Sequence, residues 1–211
     1  MKIVWHGHSC FEIRDDVTVV LDPHDGKSIG IRPPTARADV VLMSHDHFDH
    51  NCARIIRGDH VDVMASGERT LKGVDIVGID TFHDDSKGEK RGRNIVYRFV
   101  LDGIRFCHCG DLGHLLSEEE VEAIGKVDIL FIPVGGVFTI DAAQAHKIVK
   151  MLDPRIVVPM HYRMGGLSIA VNTLDEFLAD VDEETVLRVG NEIDFSAEDM
   201  MPGTEYWVFS P

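Results

Sequence analysis

The segment 44–51 constrains this chain more than any other, because positions 45–50 hold three histidines and two aspartates. The apolar run 39–43 before it is predicted to be a buried strand. His45 and His47 are two residues apart, so just past the end of a strand both imidazoles can point to the same side. Imidazole nitrogen and carboxylate oxygen are ligands that zinc, manganese and iron(II) accept in open hydrolytic sites. The segment therefore predicts a metal site rather than a polar loop that is rich in histidine by chance.

Further potential ligands follow along the chain. Asp49 and His50 lie on the turn after the first two histidines, where they could serve a second ion. Three other apolar strands are each predicted to run into a short polar stretch, and the candidate ligands there are His83, Asp111 and His161. Because the binding crevice of a layered α/β fold lies off its strand ends, we expect all these residues to converge. Core or surface positions are predicted for the histidines that lack this placement, which are His60, His108 and His146.

The length and composition predict a single domain, 1–211. A chain of 211 residues with 44% hydrophobic residues can bury a good core without a second domain. Its formal net charge of −15 argues against a general nucleic-acid binder, because such proteins neutralise phosphates with basic side chains. A small anionic substrate is still compatible with this charge if the local field at the site differs from the global one.

The sequence also predicts a cytoplasmic protein without a membrane segment. Its N-terminus lacks the apolar run of a secretory signal, and no stretch approaches the roughly 18 apolar residues of a membrane helix. Four cysteines in a chain of this size are no disulfide framework. Cys107 and Cys109 are interpreted as reduced, small hydrophobic residues rather than metal ligands. The oligomeric state stays open, and a homo-oligomer is compatible with the sequence.

The apolar runs and turn residues predict many short strands and few helices. Strands are predicted at 2–5, 10–13, 18–21, 39–43, 61–64, 68–71, 74–79, 95–101, 104–107, 129–132, 156–158, 186–189 and 206–209. Helices are predicted at 51–56, 118–124, 142–151 and 174–179. Ser117 and Glu120 form a capping box for the second of these helices, and Asp102-Gly103 is a two-residue hairpin signal.

These residues together give the sequence a resemblance to the metallo-β-lactamase superfamily over nearly its whole length. The matching pattern is His-x-His-x-Asp-His at 45–50, His83, Gly-Asp at 110–111 and Pro-Met-His at 159–161. Three further segments resemble the small zinc-dependent hydrolase branch of this superfamily: Gly-His-Ser-Cys at 7–10, Leu-Asp-Pro at 21–23 and Thr-x-Asp-Ala-Ala at 139–143. That branch is related to the L-ascorbate 6-phosphate lactonase group. The resemblance implies an α/β fold, a four-layer αββα sandwich in which two mixed β-sheets lie face to face with helices outside.

Carried over residue by residue, the resemblance implies two divalent ions, zinc or else manganese or iron(II). The first ion would be bound by His45, His47 and His83. The second would be bound by Asp49, His50 and His161, and Asp111 would bridge the two. The implied reaction is hydrolysis, in which the ions lower the pKa of a shared water and the bridging hydroxide attacks. Asp49 and Asp111 are the implied catalytic residues, since Asp49 can also orient the nucleophile.

Departures from the family narrow the predicted function. Asp111 stands where several exported β-lactamases place cysteine, and the chain lacks the long inserts of the superfamily's nucleases. A metal-dependent hydrolase of a small anionic ester, lactone or phosphodiester is therefore favoured. Two alternatives stay open: a phosphodiesterase or nuclease that acts on RNA ends, and a non-catalytic metal-binding module.

Substrate contacts are predicted from position alone. A cluster of basic residues follows His83 closely, and it consists of Lys87, Lys90, Arg91 and Arg93. Arg91 is the candidate for binding an anion, although an ordinary solvated loop explains the cluster equally well. His114 is a second candidate because it lies near Asp111, and the leaving-group acid could be His114, Tyr162 or Arg163.

The histidines near the N-terminus complete the candidates. His6 and His8 lie in a tight corner between the first two predicted strands. Either could support a metal ligand, but a structural role is favoured. His24, in a loop rich in glycine and proline, is a minor candidate for substrate contact.

Overall fold

The computed structural model describes residues 1–210 and consists mainly of short β-strands. The strands are β1 (Lys2–Trp5), β2 (Phe11–Arg14), β3 (Thr18–Leu21), β4 (Val40–Leu42), β5 (Val61–Val63), β6 (Gly67–Leu71), β7 (Val74–Phe82), β8 (Arg93–Leu101), β9 (Ile104–His108), β10 (Ile129–Pro133), β11 (Ile156–Met160), β12 (Val186–Arg188), β13 (Glu192–Asp194) and β14 (Glu205–Val208). The α-helices are α1 (Glu118–Ile124), α2 (Ala142–Leu152) and α3 (Asp175–Leu178). Short 3-10 helices occupy Lys27–Ile29, Ala53–Ile55, Glu183–Thr185 and Ala197–Asp199.

The strands form two mixed sheets. The first has six strands in the order β13-β1-β2-β3-β4-β5, and the second has eight in the order β12-β14-β11-β10-β9-β8-β7-β6. In the first sheet β3, β4 and β5 are parallel neighbours, with Leu21 opposite Leu42. In the second sheet β9, β10 and β11 are parallel neighbours, and β7 runs in their direction because β8 is antiparallel to both β7 and β9. The C-terminal ends of β7, β9 and β11 therefore lie along one edge.

The core lies between the inner faces of the two sheets. Phe11 of the first sheet packs against Phe131 of the second, with ring centroids 4.6 Å apart. Phe209 also packs against Phe11, with ring centroids 5.8 Å apart. The helices α1 and α2 contribute Ile124 and Ile148 to the same buried apolar cluster. A smaller apolar cluster on the first sheet includes Val20 and Val41 and is covered by the 3-10 helix Ala53–Ile55. The predicted α/β sandwich of two mixed sheets is confirmed.

Most predicted elements are present, with informative differences. The helix predicted at 51–56 is only the 3-10 helix Ala53–Ile55. β7 extends to Phe82, beyond the predicted end at 79, and so leads directly into His83. β13 was not predicted because Glu-Ile-Asp is short and polar, as suits an edge strand.

The predicted capping and turn residues act as expected. The Ser117 side chain accepts a hydrogen bond from the Glu120 amide, and the Glu120 carboxylate accepts one from the Ser117 amide. Asp102 and Gly103 both have positive φ, 46° and 74°, as the tight hairpin between β8 and β9 requires. Within residues 1–210 no helix is long and apolar enough to cross a membrane.

Candidate metal centre

The segments that follow β4, β7, β9 and β11 meet at one end of the sandwich and bring the predicted ligands together. Two separate groups of donors form, each with its donor atoms within 4.8 Å of one another, and a third group, Asp22, His45 and His50, overlaps both. The first group is His45, His47 and His83, whose ring centroids are 4.5 to 5.0 Å apart. The second group contains Asp49, His50 and His161, together with His8. All of these residues are buried except His47, which is half-buried.

Asp111 lies between the two groups. Its Oδ2 is 3.1 Å from His83 Nε2 in the first group and 3.2 Å from His161 Nε2 in the second. Its Oδ1 is 3.3 Å from His50 Nε2. Burial alone would raise the pKa of Asp111, but His161 and His50 outweigh this effect and hold its pKa well below the ordinary value. An ionised carboxylate therefore faces both groups.

A second buried carboxylate, Asp22, fixes the tautomers of two histidines. It follows β3 and accepts hydrogen bonds from the Ser44 amide at 2.7 Å, the Ser44 hydroxyl at 2.7 Å and His50 Nδ1 at 2.9 Å. The Ser44 hydroxyl donates its one proton to Asp22, so it can only accept in its contact with His45. His45 Nδ1–H therefore donates to the Ser44 hydroxyl oxygen at 2.8 Å. His45 and His50 thus both carry the proton on Nδ1 and present Nε2 as a bare lone pair.

These bare lone pairs provide a test of whether the residues fit a metal ion. Both Nε2 atoms, and also Asp111 Oδ1, are buried without a hydrogen-bond partner among the described residues. His50 Nε2 lies 3.3 Å from oxygen atoms of both Asp49 and Asp111. A lone pair that faces two carboxylates in a buried site is unfavourable unless a cation lies between them. The donor set therefore fits divalent metal ions.

The protonation of His50 supports the same conclusion. Burial alone would lower the pKa of His50, but the carboxylates of Asp111, Asp49 and Asp22 raise it well above the ordinary value. The three carboxylates therefore attract positive charge, either a proton or a metal ion, to the Nε2 lone pair of His50. By contrast, burial together with the nearby His50 lowers the pKa of His45 to about 3, so His45 is neutral near pH 7.

The backbone around Asp111 is held by Asn94. The Asn94 side-chain oxygen accepts a hydrogen bond from the Asp111 backbone amide at 2.9 Å. The Asn94 side-chain amide nitrogen donates to the Cys109 backbone carbonyl at 2.9 Å. Gly110 has φ 55°, and a Cβ there would collide with Asn94 and Ser44. The loop after β9 therefore needs glycine at this position to bring Asp111 against the segment after β4.

A cavity of about 480 Å³ opens in front of the donors. Its lining comprises Ser28, His47, Phe48, Asp49, His83, Arg91, Asp111, Phe138, His161, Ser168, Ile169 and Ala170. Arg91 is the one arginine or lysine in this lining among the described residues 1–210, and its guanidinium lies 4.6 Å from the centre of the Phe138 ring. The arrangement is a cation–π contact, which holds the cationic group at the rim.

The loop that carries Arg91 is shaped by Asp84. One carboxylate oxygen accepts hydrogen bonds from the amides of Ser86 and Gly88, at 2.8 and 2.9 Å. The other accepts from the amides of Lys90 and Arg91, at 3.0 and 2.8 Å. Partial burial opposes ionisation of Asp84, but these four N–H groups prevail and lower its pKa to about 2.

The other predicted contact residues lie away from the cavity. His114 uses both ring nitrogens locally: Nε2 accepts from the Phe82 amide at 3.2 Å and Nδ1 contacts the Leu115 carbonyl at 2.9 Å. Of the remaining basic residues, Lys90 pairs with Asp85 at 3.0 Å, and Arg93 lines a neighbouring groove. Tyr162 is buried and donates its hydroxyl proton to the Phe209 carbonyl.

The remaining minor candidates also have local partners. His24 is buried, with Nε2 3.1 Å from the His6 carbonyl, and His6 itself pairs with Glu12 at 2.9 Å. Cys107 and Cys109 are free and buried, as their interpretation as hydrophobic residues requires. None of these residues is among those that line the cavity in front of the donors.

Sequence reasoning underrated three residues of the site. Asp22 follows an apolar strand as the metal donors do, so the strand-end rule could have found it. Asp84 begins a polar loop with serine and glycine, a pattern typical of turns in which an aspartate accepts backbone N–H groups. His8 had no such signal, because its position depends on the conformation of the connection between β1 and β2.

Comparison with known proteins gives consistent results. The family model for the beta-lactamase superfamily domain matches residues 2–161. A metallo-beta-lactamase superfamily structure from Thermotoga maritima has 35% sequence identity and a TM-score of 0.83, and the match covers 99% of this chain and 98% of that one. A metal-dependent hydrolase from Thermoplasma acidophilum is 29% identical over 205 residues, which cover 85% of this chain and 87% of the relative. A relative from Pyrococcus furiosus is 32% identical over 186 residues, with 77% and 83% of the two chains covered.

Proposed function

The chain belongs to the beta-lactamase superfamily and is one of its metal-dependent hydrolases, and we propose that it uses two divalent ions to hydrolyse a small anionic ester, lactone or phosphodiester. Zinc is the proposed metal, with manganese and iron(II) as the alternatives that the same donors accept. The proposed ligands of the first ion are His45, His47 and His83. Those of the second are Asp49, His50 and His161, with Asp111 shared.

One observation carries the dinuclear proposal. The Nε2 lone pairs of His45 and His50 belong to different donor groups, and both are bare and buried beside the same Asp111 carboxylate. A single ion would leave one of these groups without a cation. Two ions, one held by each donor group, would satisfy both groups and would balance the charge of the Asp111 carboxylate.

The protein residues have distinct roles in the proposed reaction. Divalent ions bound at such a site lower the pKa of water and polarise a substrate oxygen. Asp49 lies at the floor of the cavity, where its carboxylate can orient the attacking water, and Asp111 fixes the relation between the two donor groups. The donors themselves are largely buried, which strengthens the electrostatic contacts among them.

Arg91 and Phe138 support the proposed substrate class. A guanidinium at the rim of the cavity can form charge-assisted hydrogen bonds to a phosphate or carboxylate, and the adjacent ring offers an apolar surface. A single basic residue in the lining suits a small anion better than a nucleic-acid strand, which needs a row of basic side chains. The open cavity in front of the donors favours an enzyme over a closed, non-catalytic metal site.

A cytoplasmic location is part of the proposal. The four cysteines are free and buried. Unpaired cysteines are usual in proteins of reducing compartments.

Metal removal and reconstitution test the proposed function. Protein stripped with a chelator and reloaded with zinc, manganese or iron(II) should hydrolyse at least one member of a panel of lactones, phosphodiesters and carboxylate-bearing esters. Asp111→Asn should lose this turnover, whereas His146→Gln should keep it, because His146 contacts the Phe177 carbonyl outside the site. Turnover that survives complete metal removal would contradict the proposal.

A further inference from the structure

His8 lies within the second donor group, although the sequence favoured a structural role for it. Its ring is fully buried, and the ring centroid is 4.3 Å from that of His161 and 5.0 Å from that of His50. Its Nε2 is 3.0 Å from Asp49 Oδ2. The donor atoms of His8, Asp49, His50 and His161 all lie within 4.8 Å of one another.

The spacing around Asp49 Oδ2 suggests what His8 does. Donor atoms that share one ion at about 2.0–2.2 Å lie roughly 3 to 3.5 Å apart when they are adjacent in its shell. His50 Nε2 has this spacing from Asp49 Oδ2, at 3.3 Å, and it is a bare lone pair because Asp22 holds the proton on Nδ1. His8 Nε2 has nearly the same spacing from the same oxygen.

We propose that His8 is a fourth protein ligand of the second metal ion, in addition to Asp49, His50 and His161. This inference rests on the proposed dinuclear site. It makes the two subsites unequal, because the first has three side chains of its own and the second has four. The second subsite is therefore expected to bind its ion more tightly and to fill first.

The backbone around His8 is built to hold the ring in place. Gly7 and His8 both have positive φ, 91° and 55°, and histidine adopts this conformation far less readily than glycine. The turn is closed by the Cys10 amide, which donates to the Gly7 carbonyl at 3.0 Å. The Trp5 indole N–H donates to the His8 carbonyl at 3.1 Å. A strained conformation that its surroundings fix at a cluster of donors is typical of a functional residue.

The alternative role for His8 is a hydrogen bond from Nε2–H to Asp49. His8→Gln separates the two roles, because glutamine can donate an amide N–H to the carboxylate but is a poor ligand for these metals. If His8 is a ligand, His8→Gln should lower the affinity for one of the two ions by about a hundredfold or more in a chelator competition. Wild-type affinity for both ions in His8→Gln would overturn the proposal. His146→Gln is the matched control and should retain both affinities.

Nuclear magnetic resonance of the cobalt(II)-loaded protein tests the proposal without relying on a variant. With isotope-labelled histidine and two equivalents of cobalt, six imidazole rings should show large contact shifts, from His8, His45, His47, His50, His83 and His161. His8→Gln should remove one of these signals, and His146→Gln should remove none. Five contact-shifted rings in the wild type would overturn the role of His8 while leaving the dinuclear function intact. No shifted ring at all would overturn the proposed function and this inference together.

Discussion

The floor and the rim of the cavity are built in different ways. The floor consists of donors at strand ends, and it is buried and held by residues of the core such as Asp22 and Asn94. The rim includes the loop 84–92, where Arg91 is exposed and a single carboxylate, Asp84, organises the backbone. The floor residues follow strands of both sheets, so a substitution there affects both sheets. The loop 84–92 connects only β7 and β8, so a substitution there is expected to act locally. In the proposed function, the floor would carry out the reaction and the rim would select the substrate.

The largest expected effect is at the centre of the floor. Asp111→Asn keeps the size of the side chain but removes the negative charge that two dications require. We expect a folded protein whose turnover falls by about a thousandfold or more, with weaker binding of at least one metal. Circular dichroism, metal content and hydrolysis rate should be measured on the same preparation. A variant with both metals and near-full activity would show that Asp111 is not the bridge.

Asp22→Asn tests whether the support of the floor acts through the metal ligands. The substitution removes the charge that holds the proton on His50 Nδ1, and an asparagine amide can favour the wrong tautomer. We expect metal affinity to fall by about 10–100-fold. Loss of the buried hydrogen bonds should also lower the free energy of unfolding of the metal-free protein by about 1–3 kcal/mol. Chelator competition and urea unfolding separate the two effects, and unchanged metal affinity would contradict the role given to Asp22.

Arg91→Ala tests the rim. Without the guanidinium, KM for an anionic substrate should rise by about 10–100-fold, on the order of 1–3 kcal/mol, because a charge-assisted contact is lost. Turnover of a neutral ester and metal content should change little. Lys90→Ala is the matched control, since Lys90 pairs with Asp85 at the surface. An equal rise in KM for anionic and neutral substrates would show that Arg91 does not select for charge.

The smallest expected effect is at Asp84, which acts on the substrate only by shaping the loop. Asp84→Asn should raise KM for the same anionic substrate by about threefold to tenfold, because Arg91 is then held less firmly. The backbone amides of Gly88 and Arg91 should exchange with solvent faster. Unchanged exchange at these two amides would show that the loop keeps its shape without the carboxylate.

The pH dependence of this loop follows from the pKa of Asp84, which the backbone N–H groups lower from 3.8 to about 2. Because the folded-state pKa is the lower one, the stabilisation is complete above about pH 4 and is lost as the pH falls towards 2. Amide exchange of Gly88 between pH 5 and pH 2.5 should therefore increase beyond its intrinsic pH dependence. Asp84→Asn should abolish that excess.

The floor was largely predictable from the sequence and the rim was not. An apolar strand that ends in a polar stretch predicts both the strand and the position of the polar side chain at its end, and the structure brings His45, His83, Asp111 and His161 together in this way. Parallel strands then bring these ends together. The rim depends on backbone conformation instead, so Arg91 and His114 were equally plausible neighbours of the motif. The hydrogen bonds of Asp84 and the contact with Phe138 place Arg91 at the cavity, while the hydrogen bonds of His114 keep that residue outside it.

His8 shows a further limit of sequence reasoning. It belongs to the floor by burial and contact, yet it comes from within the short turn between β1 and β2 rather than from a polar stretch that directly follows a strand end. Its position results from two consecutive residues with positive φ. Such a turn brings a side chain to a distant site without leaving a periodic pattern.

Metal stoichiometry tests the central claim most directly. The wild-type protein should be stripped of metal, reconstituted gently with zinc, freed of excess metal and subjected to elemental analysis against protein concentration. Because two donor groups lie on either side of Asp111, we expect close to two zinc ions per chain. A stoichiometry that never rises above one with zinc, manganese or iron(II) would contradict the dinuclear site and would leave a mononuclear centre in its place.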